Sequence, residues 1–294
     1  MKEKISVLFV LVAAFMWGCI GIFVRHLNAF GLEATQITAT RCLTCALLML
    51  VLLAVTDRKR LKIQKEDTKW FLANGILSIY VFNSAYHAAI SMISLSTAVV
   101  LLYTAPAFVM MMSVIFFRER FTWVKGLCLV LCIGGSALVS GVTGGMDRNI
   151  LGIGLGLLSG IGYALYSIFS SVILKKYHPF TNIAYTFLIA GIAALITCDV
   201  GSMIQILRNS PGAIWWAVGN GAVTGFLAYA AYTMALRHMK ASKASIIATL
   251  EPVVATLVGI FLYQETLSLA GGAGILMVFA ALILSNLPEK TYCR

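Results

Sequence analysis

Runs of about 20 apolar residues recur along the whole chain, each long enough to cross a hydrocarbon core of roughly 30 Å. Backbone polar groups inside a bilayer must be satisfied within their own segment, so such runs have to be helices. The spacing predicts ten spans at 5–24, 34–55, 70–91, 95–117, 122–141, 150–174, 181–200, 213–236, 243–263 and 268–287. Almost nothing is left over for a soluble domain. With 60% hydrophobic and 11% charged residues, a soluble fold of 294 residues would lack the polar surface to cover its core. The first run, "MKEKISVLFVLVAAF", starts like a secretory leader. It continues through Trp17 to Val24 without a small-x-small cleavage site, so it is read as a helix.

The formal net charge is +11. In a soluble protein that would point to nucleic acid; here the positive-inside rule decides where the charge goes. Placing the N-terminus in the cytoplasm puts 18 of the 22 Lys and Arg on one side. Arg25, Arg148 and Arg208 fall on the other side, and Arg41 lies within a span. Both termini are therefore expected in the cytoplasm, with the lipid bilayer rather than nucleic acid as the partner. Seven cysteines, six of them in spans, have no His or acidic neighbour at ligand spacing. They read as packing residues, and no metal or cofactor is expected.

Shifting the chain against itself by 146 residues aligns Trp70 with Trp216, Asn74 with Asn220, Tyr86 with Tyr232, Pro106 with Pro252 and Glu119 with Glu265. Between 70 and 126 there are 11 identities in 57 positions without a gap. Each half, 1–145 and 146–294, then holds five spans, and an odd number turns the second copy upside down. The charges follow: "FFRERFTWVK" is basic and its counterpart "LYQETLSLAG" is not, while the uncharged "SMISLSTA" pairs with the basic "RHMKASKA". The expected fold is all-α and integral to the membrane, two inverted five-helix repeats around a central cavity. Such repeats exchange conformations to open a midplane site to each side in turn, the architecture of alternating access.

Four stretches carry a family resemblance: "FMWGCIGIFVRHL", "TATRCLTCALLML", "LLYTAPAFVMMMSVIFFRERFTW" and "LEPVVATLVGIFLYQETLS". They resemble the EamA family of the drug/metabolite transporter superfamily, across essentially the whole chain. The most specific element is a proline followed thirteen residues later by a glutamate in each half. The resemblance implies ten spans, a bacterial inner-membrane location and secondary transport, often export, of amino acids or other small organic metabolites.

Sorting the embedded polar and aromatic residues by face gives a candidate site. Tyr80, Asn83, Tyr86 and His87 form one stripe, and Tyr229 and Tyr232 lie on the repeat-related one. Trp17, its repeat partner Tyr163, and Tyr103 complete an aromatic wall suited to a small, partly apolar solute. Interfacial anchoring is the bland alternative for these rings. Pro106 and Pro252 free the carbonyls of Leu102 and Ala248 and mark bends about which helix ends gate. Glu119 and Glu265 read as gate contacts at span ends. Glu251 is the acidic residue near a span centre, and its counterpart in the first half is Ala105. It reads as a proton-coupling site, a counter-charge for a substrate ammonium, or a partner of a basic group; His87 is a second proton-exchanging candidate. By residue counting Arg41 lies roughly 9 Å from the outer end of its span and Glu251 roughly 18 Å, so a direct pair needs tilt. Glycine stripes at 152, 156 and 160, at 221 and 225, and at 271, 272 and 274 read as close helix contacts, within a monomer or at a homodimer seam. Nothing in the chain matches an intramembrane protease motif, so an enzyme is not expected.

Overall fold

The computed structural model describes residues 2–141, 149–264 and 266–286. Within them every regular element is helical. The first half begins with α1 (Lys2–Gly18), α2 (Ile20–Ala29) and α3 (Ala34–Thr56). Then come α4 (Thr68–Ala73) and α5 (Val81–Ile90), joined without a break by a π-helical stretch, Asn74–Tyr80. It closes with α6 (Leu95–Leu102), α7 (Ala105–Phe117) and α8 (Trp123–Val139). The second half contains α9 (Ile150–Ile173), α10 (Pro179–Thr197), α11 (Val200–Asn209) and α12 (Pro211–Asn220). A second π-helical stretch, Gly221–Leu227, leads into α13 (Ala228–Leu236), followed by α14 (Ala241–Ala248), α15 (Leu250–Tyr263) and α16 (Leu269–Asn286).

Among the described residues, seven helical stretches are long and apolar enough to cross a membrane: Lys4–Ala29, Ala34–Thr56, Thr97–Phe117, Ile150–Ile173, Pro179–Thr197, Ala241–Tyr263 and Leu269–Asn286. Trp123–Val139 is apolar but shorter. The stretches 68–90 and 211–236 are helical throughout, each through its π segment. The chain is a multi-pass helical membrane protein.

Starts and stops follow local chemistry. Asn149 Oδ1 accepts from the Gly152 amide (3.0 Å) and Asp199 Oδ1 from the Ser202 amide (3.0 Å), satisfying first-turn donors. Glu33 and Gln36 form a reciprocal capping box on α3. Pro179 and Pro211 open α10 and α12, where a missing N–H costs nothing.

The 146-residue offset recurs in the backbone. The interruptions at Tyr103–Thr104 and at Thr249 are repeat-related, and at each a threonine hydroxyl donates three residues back: Thr104 to Leu101 O (2.5 Å) and Thr249 to Ile246 O (2.6 Å). Pro106 and Pro252 lie in the first turns of α7 and α15, after each break, so neither removes a bond the helix would otherwise make. Arg118 and Gln264 are the non-glycine residues with positive φ among those described (54° and 55°), and they too stand 146 apart.

Packing repeats as well. The α1 helix lies against α13, α14 and α15, as α9 lies against α5, α6 and α7. The first π segment packs on α10 and the second on α3, while α3 pairs with α10 and α8 with α16. Two glycines make the π contacts possible. A Cβ on Gly75 would sit 2.9 Å from the Thr186 carbonyl, and one on Gly221 3.1 Å from the Arg41 carbonyl. The glycines 152, 156 and 160 of α9 face Ile93 and Leu101, so that stripe is an internal seam.

Candidate functional site

The largest core cluster gathers where α1, α9 and α13 meet. Trp17 stands two residues before the bend at Cys19, and its ring packs against Tyr229 (5.0 Å between centroids), Tyr232 (5.2 Å) and Tyr163 (6.3 Å). Its indole N–H donates to the Thr224 carbonyl at 3.1 Å, inside the second π segment. Tyr166, absent from the expected site, joins the cluster edge-on to Tyr229 (4.9 Å) and shares a hydrogen bond with Thr233 (2.7 Å). The Tyr232 hydroxyl bonds Ser167 at 2.8 Å. Every buried phenol and indole here has a polar partner or a ring edge, as apolar surroundings demand. Of the expected rings, Trp17, Tyr163, Tyr229 and Tyr232 are thus brought together, with Tyr166 beside them.

Glu251 lies beside this cluster, in the first turn of α15 and two residues after the helix break at Thr249. A carboxylate is favoured there, because first-turn N–H groups and the helix dipole face it. Its Oε2 accepts from the Tyr163 hydroxyl at 3.3 Å, and Tyr103, at the repeat-related break, lies close enough to interact. The side chain therefore bridges α9 of its own half and the broken span of the other. No ion pair joins Glu251 to a basic residue among the described residues; the Arg41 charge reaches it only through space.

The stripe expected on 80–87 splits. Tyr80, Asn83 and His87 line a crevice with Ser84, Thr35, Thr38 and Thr197, between the start of α3 and the ends of α5 and α10. Tyr86 turns away from it into a small cluster with Ala89, Ala98 and Leu101. The reason is geometric: position i+6 lies about 120° off the face that i, i+4 and i+7 share. The crevice measures about 10 Å³, room for about one water. Arg41, itself buried, donates from Nη2 to Asn83 Oδ1 at 3.0 Å. Residue counting missed this pair, since it depends on how two helices rotate against each other.

Of the expected gate residues, Glu119 makes a contact between the halves. Its Oε2 accepts from the Ser242 hydroxyl and lies 3.5 Å from Lys125 Nζ, tying the end of α7 to the start of α14. Glu265 lies outside the described residues. A second, larger cavity of about 250 Å³ sits between the start of α1, the start of α10 and the end of α13, lined by Phe9, His178, Met234 and Arg237 among others.

Two further polar networks escaped the sequence reading. Asn74 Nδ2 donates to Asn182 Oδ1 (3.1 Å) and Thr186 Oγ1 (3.0 Å), and Asn182 Nδ2 to Ser170 Oγ (2.8 Å), pinning the first π segment to α9 and α10. In the loop after α3, Asp67 accepts from Tyr177 (2.7 Å) and Lys176 (3.1 Å). These bonds, that of Tyr177 foremost, hold the Asp67 carboxyl below the usual carboxylate range. Among the described residues no group of His, Cys, Asp and Glu is placed to hold a metal.

The model of the EamA-like transporter family matches this chain twice, over residues 4–141 and 150–287. The chain belongs to the EamA-like transporter family. The two matches start and end 146 residues apart, the offset read from the sequence. Among EamA relatives, the uncharacterized transporter YxxF of Bacillus subtilis (strain 168) is 26% identical over 97% of this chain and 90% of its own. An uncharacterized transporter of Archaeoglobus fulgidus is 29% identical, over 94% of each chain. A protein of known crystal structure superposes with a TM-score of 0.79 over 96% of both chains, at 14% identity, a likeness of fold alone. Family and relatives point to a membrane transporter rather than an enzyme.

Proposed function

We propose that this EamA protein is a secondary transporter that moves a small organic metabolite across the bacterial inner membrane by alternating access, and that it works as an exporter. The observation that carries the reading is Glu251. It is a half-buried carboxyl at a helix break, held by a tyrosine of a second helix and set against an aromatic cluster drawn from both halves. An acidic group is expensive at membrane depth and is kept there for solutes or protons.

In this reading the helices form ten spans in two inverted repeats, 1–145 and 146–294, with both termini cytoplasmic. The repeated breaks, the exchanged packing of α1 and α9 and the doubled family match support it. Trp17, Tyr103, Tyr163, Tyr229, Tyr232 and Glu251 receive the solute. The rings suit an amino acid or an aromatic or cationic compound. Tyr80, Asn83 and His87 line its outer approach, the helix breaks before Pro106 and Pro252 are the bends, and Glu119 and Glu265 hold the ends. Glu251, with His87 as second candidate, couples transport to protons.

A ligand screen by thermal shift over amino acids, amines and nucleosides, followed by counterflow of the best hit in proteoliposomes, tests the reading. Counterflow above that of empty liposomes is expected; its absence for every stabilising solute would sink the carrier. Flux that ignores a pH gradient and survives Glu251→Gln would leave a passive facilitator instead.

A further inference from the structure

Arg41 is 6% exposed. A guanidinium carries five N–H donors, accepts nothing and keeps its charge in any protein environment. Here one terminal nitrogen reaches Asn83, the Cys42 thiol lies alongside, and Nε has no partner. Among the described residues no carboxylate lies within ion-pair distance of it. A buried cation left without a counter-charge is costly, and removing the need for one would be simple: a neutral residue at 41.

Beside the Arg41–Asn83 pair lies a neutral polar crevice, and the Glu251 carboxyl acts on the guanidinium only through space. Thr38 and Thr35 lie one and two turns before it along α3 and line the crevice, opposite Thr197 and Ser84. Asn83 is the link, lining the crevice and occupying the guanidinium with its amide oxygen. The Nδ1 of His87, in the same wall, is also buried without a partner. The Arg41 guanidinium has donors to spare here, and the missing element is an acceptor with negative charge.

We propose that the carboxylate of the solute docks on Arg41, displacing the Asn83 amide from the guanidinium when the crevice opens, so that the solutes are carboxylates rather than neutral or purely cationic compounds. This rests on the transporter reading above and narrows its substrate class. A planar fork meeting a carboxylate gives a bidentate, charge-assisted contact. A solute lacking that group would leave the donors unpaired and be rejected strongly.

The test is equilibrium binding by the purified full chain in detergent, read as melting temperature at constant ionic strength. Sodium benzoate and L-phenylalanine are compared with benzamide, phenethylamine and sodium phosphate. The two carboxylates are expected to raise Tm by several degrees at millimolar concentration, and the other three to leave it unchanged. Asn83→Asp, which supplies Arg41 with a carboxylate from within, is expected to fold and to lose that shift; Arg41→Gln should lose it too. The proposal is overturned if neither carboxylate stabilises the wild type, if phosphate or benzamide does so equally, or if the shift persists in Asn83→Asp. Because no transport is measured, the two readings fail separately. Carboxylate binding without counterflow removes the carrier, and counterflow without carboxylate binding removes this site.

Discussion

At the scale of single residues, the polar groups around the aromatic cluster each have a neighbour that repays the loss of hydration. Tyr163 does so for Glu251, Thr233 for Tyr166, and Ser167 for Tyr232. Replacing Glu251 by glutamine keeps size and the Tyr163 contact while removing the charge. Glu251→Gln is therefore expected to melt at or above the wild-type temperature while its counterflow no longer responds to a pH gradient. A lower Tm with the pH response intact would make Glu251 a structural residue. Tyr163→Phe removes one hydrogen bond to that carboxyl, worth about 1.5–3 kcal/mol when the acceptor is charged, and should weaken solute binding more than it weakens the fold.

Asp67 allows a prediction with a definite sign. Its carboxyl is held below its ordinary range in the folded protein, so its ionised form contributes stability above the unfolded value of about 3.9. That contribution is lost as pH falls through the folded value. Asp67→Asn should accordingly melt below the wild type at pH 7, with the gap closing as the medium is acidified below the ordinary carboxylate range. A gap of constant size in thermal melts across that range would contradict the account.

At the scale of elements, helix–helix approach is set by glycines rather than by large apolar contacts, as lipid offers no less comfort than a leucine. A Cβ on Gly160 would lie 2.8 Å from the Leu101 carbonyl, at the break between α6 and α7, whereas one on Gly154 of the same helix meets nothing within 4 Å. Gly160→Ala is expected to destabilise by about 1–3 kcal/mol through overpacking, and Gly154→Ala to stabilise by up to about 1 kcal/mol through helix propensity. Thermal melts that rank the two the other way would overturn the packing described. The elements are also where the sequence was most and least informative. The apolar runs and the 146-residue offset announced where helices lie, because hydropathy and a preserved Pro-to-Glu spacing are properties of the linear chain. The π segments carried no such sign; in each, a hydroxyl four residues on, Ser78 or Thr224, donates to the amide oxygen of Asn74 or Asn220. The Arg41–Asn83 bond and the departure of Tyr86 from the crevice were hidden as well. Both depend on the rotation of one helix against another, to which residue counting is blind. Part of the aromatic cluster was legible because Trp17 and Tyr163 are repeat-related. The repeat located the rings without telling which of them would touch.

At the scale of the whole molecule, two halves that pack on each other through exchanged partners can rearrange while keeping similar contacts. In the present conformation one end is held by Glu119 bonded to Ser242 across the halves, and the crevice at the other end is all but closed. Coupling between those ends is the central claim, because a carrier must never leave both open. It is tested most directly by distances between spin labels in a cysteine-free background, one pair at Arg120 and Lys240 beside the Glu119 contact, the other at Ile90 and Ile196 across the crevice. Glu119→Gln removes the charge that holds the first end. The account predicts that the Arg120–Lys240 distance then lengthens while the distribution between Ile90 and Ile196 shifts at the same time. A change confined to the first pair, with the second untouched, would contradict it.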